Sequence, residues 1–281
     1  MASPATLASA RKILGDGELA AYRRDGFLVP RYRLPQADLA ALQALTDRIV
    51  ADNPHLADTP MACPHVPGSG VQQLKSSKAW LPLSLHRDIL DMVEQIVGPD
   101  IVLWGSNLFY KRSLEGPATP WHRDAAYWPI RPLATTSVWI AITDSVKENG
   151  CLRFIAGSHA ARDVGAHYES KEPGLIIPGT LSPDSFDERD ARDVEMEPGQ
   201  VVLFDCFTIH GAQTNRGTRR RAGYALRFMP ATSHYDHEAA LTAHRRSPGA
   251  AHHTRPLILA RGVDRSGKND FARGHPMPLV D

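Results

Sequence analysis

Residues 119–128 read Thr-Pro-Trp-His-Arg-Asp-Ala-Ala-Tyr-Trp, and the pair His122 and Asp124 inside them decides how the rest of the chain is read. On a β-strand, side chains at i and i+2 leave the same face. A rise of about 3.3 Å per residue then lets an imidazole and a carboxylate converge on one metal ion. Two such ligands are two thirds of a facial two-histidine, one-carboxylate triad that leaves open positions on the metal. The third ligand is expected from a distant histidine.

The H-x-D spacing occurs three times, and context separates the copies. His86 and Asp88 fall where Leu85, Ile89, Met92, Val93 and Ile96 recur at helical spacing before Gly98 and Pro99, so a helix is expected over 84–97. There, i and i+2 point to different sides and cannot chelate. His234 and Asp236 follow Pro230 in a polar, histidine-rich tail without strand alternation and read as surface groups. Only His122 is followed closely by a strand pattern, at 136–143, where Val138, Ile140 and Ile142 alternate with Trp139, Ala141 and Thr143.

A chain of 281 residues with 42% hydrophobic residues, 22% charged residues and a net charge of +1 is an ordinary globular protein. The charge balance gives no reason to expect nucleic acid or an anionic membrane as partner. No apolar run is long enough to span a bilayer, and the first residues lack a signal-peptide core, so a cytoplasmic location is expected. Cys63, Cys151 and Cys206 are three and widely spaced, and they read as reduced, buried thiols.

Taken in order, the chain predicts a short helix over 17–24 stopped at Gly26, a strand at 27–29, and an amphipathic helix beginning at Pro35 and ending near Asn53. Residues 60–78 read as a loop whose Gln72, Gln73 and Lys75 could face a substrate. A strand is expected at 101–112, including Trp104, Asn107, Phe109 and Tyr110. His159 reads as a turn residue bonding backbone. Residues 160–192 form a polar insertion longer than a connection needs, as lids and binding loops often are. A strand over 200–210 ends in His210, and a returning strand over 219–228 carries Arg221. A buried arginine needs an anion, and a guanidinium fork suits a dicarboxylate placed beside His210. Arg219 and Arg227 share its strand parity.

These residues together, His122-x-Asp124, His210-Gly211, Arg221, the turn at Asn149-Gly150-Cys151-Leu152 and the turn at Ala156-Gly157-Ser158-His159, resemble the phytanoyl-CoA dioxygenase family of Fe(II)/2-oxoglutarate-dependent oxygenases over roughly residues 17–230. The resemblance implies a mainly β protein with flanking helices, a double-stranded β-helix (a cupin-like jelly roll) with iron between its sheets. One catalytic domain over 1–281 is expected: a mostly helical packing region at 1–98, the jelly-roll core at 99–230 with the insertion at 160–192, and a C-terminal tail at 231–281.

Carried over residue by residue, the resemblance implies that His122, Asp124 and His210 ligate Fe(II) and that Arg221 binds the distal carboxylate of 2-oxoglutarate. Trp139 and Asn107 are expected along the co-substrate. Some members carry a hydroxyl two residues after the distal histidine; here Ala212 stands there, and Thr136 is the expected replacement. Tyr127 and Trp128 are candidate substrate-facing residues, with Gln73 and Lys75 from the loop. No catalytic side chain is expected beyond the metal centre.

The activity implied is oxidation, most simply hydroxylation, of an unactivated C–H bond in a small molecule such as a secondary metabolite or amino-acid-like compound. O2 and 2-oxoglutarate are consumed, and succinate and CO2 are released. Related halogenases replace the acidic ligand by a small residue to admit chloride, so Asp124 points to oxygen insertion. Two other readings use the same residues: a zinc-type hydrolase on the same three ligands, and a non-catalytic jelly-roll binding module. Lys75, Arg112, Arg131 and Arg153 are cations that could pair with an acidic substrate.

Overall fold

The computed structural model describes residues 10–69, 71–170, 175–177, 179–246 and 252–276. Pro173, Gly174 and Pro178 of the insertion lie outside them. In chain order the elements are α1 (Asp16–Asp25), β1 (Phe27–Leu28), α2 (Gln36–Asp52), β2 (Met61–Ala62), α3 (Trp80–Ser84), α4 (Arg87–Val97), β3 (Ile101–Lys111), β4 (Thr119–His122), β5 (Ile130–Arg131) and β6 (Thr136–Ala141). There follow β7 (Leu152–Ile155), β8 (His167–Glu169), β9 (Gly179–Leu181), β10 (Ala191–Val194), β11 (Val201–Asp205), β12 (His210–Ala212), β13 (Arg221–Pro230), β14 (His234–Tyr235), α5 (His237–Arg246) and β15 (Ile258–Arg261).

Two antiparallel sheets face each other in a jelly roll. The major sheet runs β1-β11-β6-β13-β3-β15, with β2 also on β3; the minor sheet runs β10-β7-β12-β4. Alternation sorts the major sheet's side chains. Val138, Ile140, Leu203, Tyr224, Leu226 and Leu108 pack outward under α1, α2, α3 and α4 with Leu39, Leu42, Ile49, Trp80, Ile89 and Met92. Trp139, Ala141, Val202, Phe204 and Ala225 point inward and meet Leu152 and Phe154 of the minor sheet. The helices therefore brace one face, and the other faces the space between the sheets.

Local signals explain the element ends. Gly26, at φ 79°, accepts the left-handed conformation that stops α1, and its N–H donates to Tyr22 O at 2.8 Å. The helix expected over 84–97 is broken at 85–86: α3 closes at Ser84, and His86 caps α4 by accepting the Asp88 N–H at 3.2 Å. That bond, with Asp38 3.3 Å from His86 Nε2, accounts for the first decoy pair. The loop expected over 60–78 contains β2, paired with β3 through Met61 and Leu108.

Two strand expectations are corrected. The run 200–210 is not one strand, because Asp205 Oδ1 accepts the Phe207 N–H at 2.9 Å and Asp205 O accepts the Thr208 N–H at 3.0 Å. This turn carries the chain from β11 in the major sheet to β12 in the minor one. The tail also forms strands that its residue pattern does not announce. β14 pairs with β5, placing His234 in a strand, and β15 joins β3 on the edge of the major sheet.

His65 is wholly buried, with Nδ1 2.7 Å from Ser106 Oγ. Burial, with smaller repulsion from Arg255 and His275, pushes its pKa from 6.5 down to about 3. Below pH 6.5 the unfolded chain therefore binds a proton that the folded chain refuses, and stability falls with pH down to about 3. The slope is about 1.4 kcal/mol per pH unit for a single group. The melting temperature is expected to drop steadily between pH 6.5 and 4, and the His65→Gln protein to show a shallower drop in the same calorimetric series. Equal slopes would show that His65 contributes nothing to acid lability.

Candidate metal centre

β4 ends at His122, Arg123 remains extended at φ −113° and ψ 124°, and Asp124 opens a short 3-10 turn over Asp124–Ala126. Asp124 thus lies just past the strand, and the extended Arg123 preserves the i, i+2 relation between the ligands. His210 of β12 pairs directly with His122 across the minor sheet, so both imidazoles project from one face with ring centroids 4.2 Å apart. The nearest donor atoms of His122, Asp124 and His210 all lie within 4.8 Å of one another, and all three residues are buried.

Hydrogen bonding turns both imidazoles the same way. His122 Nδ1 lies 2.8 Å from Pro120 O and His210 Nδ1 lies 3.0 Å from Thr208 O. A carbonyl can only accept, so each Nδ1 carries a proton, which leaves Nε2, 3.5 Å and 4.0 Å from Asp124, as the atom each ring can offer a metal. Burial, aided by His122, pushes the His210 pKa down to about 4. Burial also opposes ionisation of Asp124, but His122, His210 and Arg227 outweigh it and hold the carboxyl below its ordinary value. Asp124 Oδ2 is buried without a hydrogen-bond donor. Lone pairs aimed at one point and an orphaned carboxylate oxygen fit a divalent cation.

Across the barrel, Arg221 opens β13 and is 2% exposed. Its guanidinium carbon sits 5.0 Å from the Trp139 ring centroid, Nε has no acceptor, and burial lowers its pKa to about 10. Lys111 is its cross-strand partner and is itself 1% exposed; Nζ donates to the carbonyls of Gln213 and, at 3.5 Å, Ala212. Its pKa is lowered, by burial first and Arg221 second. Among the described residues, no carboxylate pairs with either group. Two adjacent buried cations without an anion are costly unless a ligand supplies one. Because β12 and β13 lie in different sheets, Arg221 reaches the triad side face to face and not as the neighbouring strand of a hairpin.

The remaining expected residues divide. Trp139 shares the inward face with Arg221, and Gly223 beside it has no side chain: a Cβ there would come 1.7 Å from the indole. Asn107 also faces inward and accepts from Arg227 Nη1 at 2.5 Å. Tyr127 stands beside the triad, 6.3 Å from the His122 ring and edge-on to His167 of β8. Thr136 is a correction. It has the parity of Val138 and Ile140, faces the helices, and its hydroxyl lies 3.0 Å from Tyr22 OH. Ser137 holds the inward position, with a buried hydroxyl and no partner.

Gln73 and Lys75 are not brought to the triad. Both are exposed, and the Lys75 backbone is fastened to Asn53 at the end of α2, behind the major sheet. Arg112 and Arg153 are taken by Asp58 and by Asp193 with Glu188. Arg131 is exposed, with one bond to Ile130 O. His159 bonds backbone, as expected, but on α1: its Nε2 lies 3.1 Å from Arg23 O. The reading of the sequence missed Lys111 and Ser137; strand parity with Arg221 and Trp139 was the available signal.

The model for the family described as phytanoyl-CoA dioxygenase (PhyH) matches residues 22–223. The peroxisomal phytanoyl-CoA dioxygenase of Homo sapiens is 26% identical over 230 residues, covering 76% of this chain and 68% of that protein. The ectoine dioxygenase of Sphingopyxis alaskensis is 24% identical over 282 residues, covering 94% and 87%. Among solved structures, EctD from S. alaskensis with 2-oxoglutarate and 5-hydroxyectoine superposes with a TM-score of 0.63 at 22% identity, over 79% of this chain and 78% of that one. CytC3 with Fe(II) and alpha-ketoglutarate gives 0.63 at 22% identity over 92% and 93%. These two structures share the fold.

Proposed function

Because the chain belongs to the phytanoyl-CoA dioxygenase family of Fe(II)/2-oxoglutarate-dependent oxygenases, we propose that it hydroxylates an unactivated C–H bond of a small molecule, releasing succinate and CO2. The observation that carries this reading is the pairing of an open, buried His122–Asp124–His210 donor set with an anion-seeking Arg221 across the barrel. His122, Asp124 and His210 would hold the Fe(II), and Arg221 with Lys111 the distal carboxylate of 2-oxoglutarate along Trp139. Iron and 2-oxoglutarate, when bound, supply the activation of O2 that C–H oxidation requires.

The chain's own part is positional. The Pro120 and Thr208 carbonyls hold both Nδ1 atoms, so it is Nε2 of each imidazole that faces the metal position. Trp139 and Phe204 line the inward face with apolar surface, which limits water near the reacting centre. Asp124 supplies a carboxylate where a halogenase would carry a small side chain, which favours oxygen insertion. Among the described residues no helix is long and apolar enough to cross a membrane, and a cytoplasmic enzyme acting on a small molecule is the simplest setting.

The reading is tested without a substrate by adding Fe(II) and then 2-oxoglutarate anaerobically and recording the visible charge-transfer band of the chelate. A saturable band supports it. A folded, iron-loaded protein without the band would bring forward the zinc hydrolase and the binding module.

A further inference from the structure

The inward side of the major sheet carries a second pair of cations, here both arginines. Arg227 lies six residues along β13 from Arg221, and its guanidinium carbon sits 5.3 Å from the Trp128 ring, 5.9 Å from Trp104 and 6.0 Å from Phe109. It is close enough to Asp124 for each charge to stabilise the other. Arg255, from the segment leading into β15, is 6% exposed, and its Nη1 reaches only a weak acceptor, Cys63 Sγ, at 3.3 Å. Gly105 brings the two together. It is the cross-strand partner of Arg227, and a Cβ on it would stand 3.5 Å from Arg255 Nη1. Nε of both arginines is buried and without an acceptor.

Apart from Arg221, other sheltered arginines among the described residues are paired with acids. Arg123 binds Asp163, Arg153 binds Asp193 and Glu188, and Arg261 binds Asp91 and Glu94. Among the described residues no carboxylate forms a salt bridge with Arg227 or Arg255. Asp124, the acid nearest in effect to Arg227, belongs to the triad. The histidines around them add no anion. Burial pushes His252 to about 3, with Arg255 and Arg227 adding to the effect, and His65 is likewise neutral. Arg227 is half-buried and Arg255 buried, and two adjacent guanidinium groups largely withdrawn from water repel each other, a cost that an oxyanion held by both would reverse.

We propose that Arg227 and Arg255 form the recognition site for an anionic oxygen group, a carboxylate or a phosphate, on the substrate, whose apolar body lies against Trp104 and Trp128. This rests on the triad being the reaction centre, since Arg227 is what ties the anion's position to Asp124. It places on β13 two guanidinium groups of different duty: Arg221 for the co-substrate and Arg227 for the substrate.

The holoenzyme, loaded anaerobically with Fe(II) and 2-oxoglutarate, is titrated with benzoate, phenyl phosphate and the neutral benzamide. Binding is read from tryptophan fluorescence, which Trp104 and Trp128 should report. At least one anion is expected to bind tenfold or more tightly than benzamide, and the tighter of the two identifies the headgroup. Arg255→Met should reduce that preference below threefold while keeping the chelate band, and Arg255→Lys should retain it. Free of ligand, the Arg255→Met protein should melt no lower than the parent, because it loses an unpaired buried charge. Equal binding of anions and benzamide by the parent overturns the proposal, and so does a marked fall in the variant's melting temperature, which would mark a structural arginine. If the parent gives no chelate band, the co-substrate reading has failed instead, and the anion preference is then scored on the metal-free protein.

Discussion

Asp124→Ala is expected to lower Fe(II) affinity, in chloride-free buffer, by at least about a hundredfold, since altering even an outer partner of a metal ligand costs 10–100-fold. The fold should survive. Asp124 Oδ2 has no donor to lose, and His122 and His210 keep their carbonyl partners. Iron content after gel filtration and the anaerobic chelate band both report the result. A variant that holds stoichiometric iron with the parent's affinity would remove Asp124 from the ligand set. Chloride is excluded because a small side chain here is the halogenase arrangement, in which the anion can take the vacated position.

Arg221→Met is expected to weaken 2-oxoglutarate rather than iron. Removing one partner of a buried, charge-assisted pair costs about 2–5 kcal/mol, or roughly thirty- to a few thousand-fold in Kd. Iron binding should be unchanged, since Arg221 sits on the opposite sheet from His122 and His210. The ligand-free variant should melt at or above the parent, because an unpaired guanidinium has been replaced by an apolar chain in contact with Trp139. Calorimetric titration of 2-oxoglutarate into the iron-loaded variant reads the affinity. An unchanged Kd would move the carboxylate anchor elsewhere, with Lys111 the first candidate.

What could be read from the residues alone followed the strength of local periodicity. β6 announces itself by alternation and β3 by a run of strand-forming residues, α1 by its glycine stop and α2 by its apolar stripe. The metal-ligand candidates were legible because His122 and Asp124 are close in sequence and the extended Arg123 keeps strand geometry between them. The sheet change between β11 and β12 was not legible: residues 200–210 are mostly apolar, and what bends them is Asp205, whose side chain and carbonyl take the Phe207 and Thr208 N–H groups. Thr136 failed because one residue of parity moves a side chain to the opposite face of a sheet. Arg255 was hidden for another reason. Nothing in the sequence of the tail says that it returns to β3, and only that tertiary contact puts a guanidinium beside Arg227.

The docking of β15 onto β3 also bears on the open edge of the major sheet. At Ile101–Leu103 the outer side of β3 is closed by residues 258–261, while β2 covers Asn107 and Leu108 further along. A chain shortened before residue 252 would leave a row of backbone N–H and C=O groups on a flat, apolar strand, a ready template for another copy. Such a chain should self-associate at concentrations where the full one does not, as light scattering would reveal; a truncated protein that stayed dispersed would mean another segment guards that edge. The last strand therefore acts as a selvedge, keeping the sheet from being extended by its neighbours.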